Sequence, residues 1–128
     1  MYAISEPAFN RIKELLLKGL VRFVILTLLE KREMTGYNIL KELRRIIGIE
    51  LHAGTVYPLL YELEESGLLN SFLSERGRRR LRYYRLTEAG RELLEKVKQI
   101  VRRVLNESAE SESRFKAASS NTREVLCH

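Results

Sequence analysis

The sequence predicts a mostly α-helical domain that carries one small β-hairpin. Three observations lead there. Apolar residues recur at three- and four-residue spacing in successive stretches of the chain. Between Leu68 and Leu86 the composition changes to strand-type residues around an arginine-rich tract. Glycines that stop helices and threonines that cap them separate these segments.

Ser5 followed by Pro7 is a helix-start signal, and Phe9, Ile12, Leu15 and Leu16 mark one face of an amphipathic first helix, about 6–18. Gly19 is expected to interrupt it. Leu20 to Glu30 is apolar on nearly all sides, as a central helix would be. Arg22 and Thr27 lie inside it, and it is far short of the ~20 residues a membrane span needs. Thr35 can cap the next helix, Gly36 to about Ile47, whose Tyr37, Leu40, Leu43 and Ile47 share one face, and Gly48 ends it. After a brief extended link, Gly54-Thr55-Val56-Tyr57-Pro58 opens another helix. Pro58 is expected in its first turn, where a missing N–H costs little, and Val56, Leu59, Leu60 and Leu63 supply its core face.

Gly67 stops that helix. Leu68-Leu69 restarts the chain as a strand through Phe72 and Leu73, the arginine tract forms a turn, and Leu81, Tyr83, Tyr84 and Leu86 fit a returning strand. Tyr83 and Tyr84 point to opposite faces, so one anchors the hairpin and the other is free. Thr87 can cap a last helix from Glu88 to about Leu105, with Leu93, Leu94, Val97, Ile100, Val101, Val104 and Leu105 as a wide seam. Residues 106–128 turn to Ser, Glu, Ala and Asn without a sustained period, which reads as a polar, flexible tail.

A chain of 128 residues that is 45% hydrophobic can build one modest core. Lys and Arg outnumber acids 23 to 17, a net charge of +6 that concerns partners rather than fold. All 17 acids are Glu, and without Asp the usual magnesium ligands of phosphoryl transfer and the Asp of a hydrolase triad are missing. With no nucleophile–base grouping, phosphate-cradling glycine loop or metal-ligand cluster, an enzyme is not expected, nor is a cofactor. The lone cysteine, Cys127, suggests no oxidising compartment, and no leader segment is apparent, so a cytoplasmic location is expected. Cys127-His128 could hold a metal between chains, but a frayed terminus is the better reading.

Arg76, Arg78, Arg79, Arg80, Arg82 and Arg85 fall within ten residues and no carboxylate stands among them, so nucleic acid is the obvious partner. The bland alternative is a hairpin kept soluble by charge. The element order matches a winged helix-turn-helix with helices added at both ends, in which one helix enters the major groove and the basic hairpin, or wing, lies along phosphates.

These residues resemble the PadR family of transcriptional regulators over most of the chain. Thr35-Gly36-Tyr37-Asn38-Ile39 is similar to that family's small-Gly-Tyr opening of the second helix, and Gly54-Thr55-Val56-Tyr57-Pro58-Leu59-Leu60 to its recognition-helix signature. Leu63-Glu64-Glu65-Ser66-Gly67-Leu68-Leu69 follows in step, and Gly77 through Gly90 resembles the wing, with its two tyrosines and Leu-Thr-x-x-Gly. Two departures stand out. His52 occupies a capping position where the family commonly has Ser or Asn, and the wing is one residue longer between Gly77 and the tyrosine pair.

The resemblance implies a homodimer in which the C-terminal helix meets the partner's N-terminal helix, a repressor role on double-stranded DNA with an inverted-repeat operator, and release by a small aromatic or lipophilic effector. Binding of drugs between tryptophans at a dimer centre is not implied, since the chain has no Trp. The candidate DNA-contacting residues are Thr35, Tyr37, His52, Ala53, Thr55, Tyr57, Arg76, Arg78, Arg79, Arg80, Arg82 and Tyr84. Phe9, Ile12, Leu16, Leu93, Leu94, Val97, Ile100, Val101 and Val104 are the candidate dimerisation set. A winged-helix module that binds only other proteins is the alternative.

Overall fold

Ser5 accepts a hydrogen bond from the Ala8 amide at 3.3 Å and Pro7 lies in the first turn, so the chain enters its first helix where the sequence places it. The computed structural model of the protein describes residues 5–48 and 51–126, and side-chain surroundings within these as far as residue 117. Met1 to Ile4, part of the link after Gly48, and Cys127-His128 with its candidate metal lie outside the described residues. Helix α1 is continuous over Glu6–Lys31. Gly19 does not interrupt it, because one helical glycine costs about 1 kcal/mol. Burying Val21, Ile25, Leu26 and Leu29 just beyond it supplies more.

The chain then makes a two-residue strand that the sequence did not announce, β1 (Met34–Thr35). Thr35 also caps helix α2 (Gly36–Ile47): its hydroxyl accepts from the Asn38 amide at 3.2 Å. Gly48, at φ 73°, closes that helix in the left-handed conformation glycine tolerates. The Arg44 Nε donates to the Leu51 carbonyl at 2.7 Å and so steers the chain into helix α3 (Ala53–Glu65). Pro58 lies beyond the first turn, inside α3, and cannot donate to the Gly54 carbonyl. One helical bond is lost there, while Val56, Leu59, Leu60 and Leu63 bury the face around it.

Strands β2 (Leu69–Arg76) and β3 (Arg79–Leu86) pair antiparallel from Leu69↔Leu86 to Arg76↔Arg79. Gly77 and Arg78 alone form the loop. Gly77 has φ 64° and no non-glycine residue has positive φ, so the turn is of the type II′ class that suits strand twist. Most of the arginine tract therefore lies in β3 and not in a turn. β1 pairs with the other edge of β3, Met34↔Tyr84 and Thr35↔Tyr83, giving a sheet in the order β1-β3-β2. The pairing covers an edge that a bare hairpin would leave open.

The core gathers Val21, Ile25 and Leu29 of α1, Ile39 and Leu43 of α2, Val56, Leu60 and Leu63 of α3, and Leu69, Tyr84 and Leu86 of the sheet. Arg22 grips Glu62 of α3 through two hydrogen bonds, Nε to Oε2 at 2.6 Å and Nη2 to Oε1 at 3.1 Å. That bonding pushes the Arg22 guanidinium up and holds the Glu62 carboxyl below its usual range. The pair is largely exposed, so it fixes the α1–α3 approach more than it stabilises.

Thr87 joins the hairpin to the last helix: its hydroxyl donates to the Gly67 carbonyl at 2.6 Å and accepts from the Gly90 amide at 3.0 Å. Helix α4 (Glu88–Leu126) continues well past Leu105, where a polar tail was expected. Its pairs Arg114–Glu110 and Lys116–Glu112, each four residues apart, supply local helix support that an apolar-period reading overlooks. The compact unit ends at Leu94, and the rest of α4 forms a second one. Among the described residues no helix is long and apolar enough to cross a membrane.

Gly90 packs so closely on the Leu68 carbonyl that a Cβ there would overlap it, whereas Gly19 has open space. Gly90→Ala should therefore cost about 2–3 kcal/mol. Gly19→Ala should gain about 0.5–1 kcal/mol. Denaturant unfolding followed by circular dichroism checks both signs.

Candidate nucleic-acid interface

Strand alternation sorts the arginines before any partner is considered. Leu69 and Leu86 point into the core, so Ser71, Leu73 and Glu75 share that inner face with Tyr84, Arg82 and Arg80. The outer face carries Phe72 and Arg76 opposite Tyr83 and Arg79, with Arg85 beside them. Arg78 sits in the turn.

On the outer face the rings of Phe72 and Tyr83 stack with centroids 5.6 Å apart and planes 16° apart. The Arg76 guanidinium lies over Tyr83 at 5.7 Å and that of Arg85 over Phe72 at 5.4 Å. These cation–π contacts hold the two guanidiniums beside the rings on the outer face of the wing. Sequence reading found the charges but not this aromatic support, although Phe72 at cross-strand register with Tyr83 is the signal.

The carboxylates near the tract neutralise it weakly. Glu75 approaches Arg80 at 3.9 Å and Glu33 approaches Arg85 at 3.9 Å, all of these side chains being well exposed. Among the described residues Arg78 and Arg79 have no ion pair. Arg76 and Arg79 stand directly opposite each other, a like-charge pairing that destabilises a hairpin unless an anion joins it.

Beside the wing lies an open cleft of about 790 Å³, lined by Thr35, Tyr37, Tyr57, Arg76, Arg79, Arg80, Arg82 and Tyr84 among others. Eight of the twelve candidate DNA-contacting residues meet there, and their roles differ. Tyr37 is exposed, with Lys41 over its ring at 5.5 Å. Thr35 is only 8% exposed and its hydroxyl is occupied in capping α2. Tyr84 is likewise 8% exposed: it is the tyrosine that anchors the wing, and Tyr83 is the half-exposed one. Burial pushes the Tyr84 phenol up, and the nearby Arg82 guanidinium counters part of that shift. Both Thr35 and Tyr84 therefore line the base of the cleft and support it from below.

Tyr57, 41% exposed, rests on Gly36, where an added Cβ would come within 2.6 Å of its Cε1. The Gly-Tyr step that opens α2 and the Val-Tyr-Pro step of α3 thus form one contact, which explains why a residue without a side chain stands at position 36.

The start of α3 behaves differently. His52 is exposed at the N-cap and makes no side-chain capping bond, in line with its poor capping chemistry. Ala53 is half-buried against the core. Thr55 is exposed but belongs to another cleft, of about 640 Å³, between α1 and α3. No cluster of three or more metal-ligating side chains exists among the described residues.

Of the candidate dimerisation residues, Phe9, Ile12, Leu16, Ile100 and Val104 are more than half exposed, Leu16 by 70%, and Leu93 is exposed as well. Val97 and Val101 are half-buried. Leu94 is different: at 0% exposure it belongs to the core of its own chain and offers no surface.

The model of the family described as the transcriptional regulator PadR-like family matches residues 25–96, from the buried half of α1 through the wing and into the first turns of α4. The chain belongs to the PadR-like family of transcriptional regulators. A PadR family transcription regulator from hypervirulent Clostridium difficile is 32% identical, with a TM-score of 0.61 over 70% of this chain and 97% of that one. A PadR-like transcriptional regulator from Bacillus cereus is 28% identical, with a TM-score of 0.64 over 73% and 94%. Bacillus subtilis PadR, solved in complex with operator DNA, is 26% identical, with a TM-score of 0.55 over 60% of this chain and 45% of that one. No curated protein matches. The winged helix-turn-helix and the four sequence motifs thus meet in one PadR-like architecture, and its family and these neighbours are transcription regulators rather than enzymes.

If Gly36 and Tyr57 act as one contact, Gly36→Ala should destabilise the wild-type background by about 1–3 kcal/mol. In a Tyr57→Ala background the same change should cost almost nothing. A double-mutant cycle of unfolding free energies measures the difference.

Proposed function

We propose that the chain is a homodimeric, sequence-specific DNA-binding repressor of the PadR type. The observation that carries this reading is the arginine wing standing beside the recognition helix. Among the described residues Arg78 and Arg79 have no ion pair, Arg76 and Arg79 repel across the strands, and Tyr37 and Tyr57 share a cleft with those two. A phosphate backbone relieves that repulsion and gives the released counterions their entropy. In this reading α3 lies in the major groove with His52, Ala53 and Thr55 at its leading end, while Arg76, Arg78, Arg79 and Arg80 contact phosphates.

Dimerisation is supported by the apolar faces that remain uncovered, Phe9, Ile12 and Leu16 on α1 and Ile100 and Val104 on α4. Two-fold symmetry then sets half-sites roughly 34 Å apart on an inverted repeat. For the effector, the cleft between α1 and α3 has the size and the apolar walls, Leu17, Val21, Leu51, Pro58 and Leu59, that a small lipophilic or aromatic molecule needs. Such a molecule would sit against the recognition helix and bias its angle. The location that follows for a DNA-binding regulator is the cytoplasm.

Fluorescence anisotropy on DNA from upstream of the protein's own gene, against scrambled DNA across a salt series, tests this reading. A dimer touching about eight phosphates should give a log–log salt slope near −7. Arg79→Ala with Arg80→Ala should flatten the slope and weaken binding. Equal binding to both DNAs would reduce the protein to a non-specific binder, and no binding to either would favour a protein-interaction module.

A further inference from the structure

One arginine of the tract is held differently from the rest. The Arg82 Nη1 donates to the Ser71 Oγ at 2.8 Å, reaching diagonally across the hairpin, and the Ser71 Oγ donates to Glu64 Oε1 at 2.5 Å. Glu64 belongs to the recognition helix, Ser71 to β2 and Arg82 to β3. A guanidinium can only donate, a carboxylate can only accept, and a hydroxyl has one proton, so the direction of this chain of bonds is fixed. Both bonds involve an ionised partner, which makes them the stronger kind.

We propose that Glu64, Ser71 and Arg82 form a strut that sets the angle of the wing to the recognition helix, so that Arg82 is a positioning residue rather than a phosphate contact. The proposal rests on the DNA-binding reading given above. The hairpin is tied to the body at its base by Leu69, Tyr84 and Leu86, whereas the Arg76↔Arg79 tip stands eight residues along each strand. A bend at the base moves the tip most; Ser71 stands opposite Tyr84 at the edge of that base, and Arg82 lies beyond it toward the tip. A brace there decides whether Arg78 and Arg79 reach the phosphates beside the groove that α3 occupies. Arg82 differs in this from Arg78 and Arg79, and from Arg76 and Arg85, whose guanidiniums lie over aromatic rings on the opposite face.

Two readouts on the full-length chain test the strut, and the first needs no DNA. Spin labels at Tyr61→Cys and Arg78→Cys, in a Cys127→Ser background diluted with unlabelled chain, report the distance from recognition helix to wing tip. Ser71→Ala should broaden that distribution and Ser71→Thr, which keeps the hydroxyl, should not. The second readout is operator affinity. Ser71→Ala, although it removes no charge, should weaken specific binding about tenfold. Arg82→Ala should do the same with the salt slope unchanged, and the double variant should be no weaker than either single one. Arg78→Ala, removing a true phosphate contact from each protomer, should flatten the slope by about 2.

An unchanged distance distribution in a folded Ser71→Ala protein would overturn the strut. So would an Arg82→Ala slope that flattens as that of Arg78→Ala does. A wild-type protein that ignores the operator, with the Ser71→Ala distances still broadened, would instead overturn the DNA-binding reading and leave the brace itself standing.

Discussion

Everything near the candidate interface hangs on β3. It is the central strand of the sheet, bonded to β1 on one edge and β2 on the other, and it carries core residues on one face and exposed arginines on both. The two-residue period of a strand makes that possible. Tyr84 and Leu86 go inward and fix the sheet against the helices, while Arg79, Tyr83 and Arg85 go outward on the same backbone. Charge is thereby placed on a strand that the core holds in register, since a one-residue slip would bury arginines and expose Tyr84 and Leu86.

A second constraint ties that sheet to α3. The Thr87 amide donates to the Leu68 carbonyl, Thr87 caps α4 and its hydroxyl donates to the Gly67 carbonyl, and Gly90 packs on the Leu68 carbonyl. The end of α3, both ends of the hairpin and the start of α4 meet in this joint. The family motifs Ser-Gly-Leu-Leu and Leu-Thr-x-x-Gly describe its two sides, so their separation in sequence conceals one contact.

Much of this was legible in the sequence because caps and glycines act locally. Thr35, Gly48, Gly67 and Thr87 each do what their residue types predict, and the hairpin and the helices they bound follow. What was not legible depends on tertiary partners. β1 has two residues and no period, so only its pairing with β3 reveals it. Parity could not choose between Tyr83 and Tyr84, because Leu81 sits on one face and Leu86 on the other. Leu94 and Ile100 belong to one apolar seam by spacing, yet only Leu94 meets the core. Past Leu105, α4 lacks an apolar period but keeps charge pairs that a search for amphipathic faces passes over.

Amide hydrogen exchange of the protein with and without an operator duplex tests the central claim most directly, that recognition helix and wing act as one DNA-facing surface. The account predicts slowed exchange around Gly36-Tyr37, across the first turns of α3 and through residues 75–82, with the exposed face of α1 unaffected by DNA. Protection at α3 without the wing, or at α1 and α4 instead of either, would contradict it.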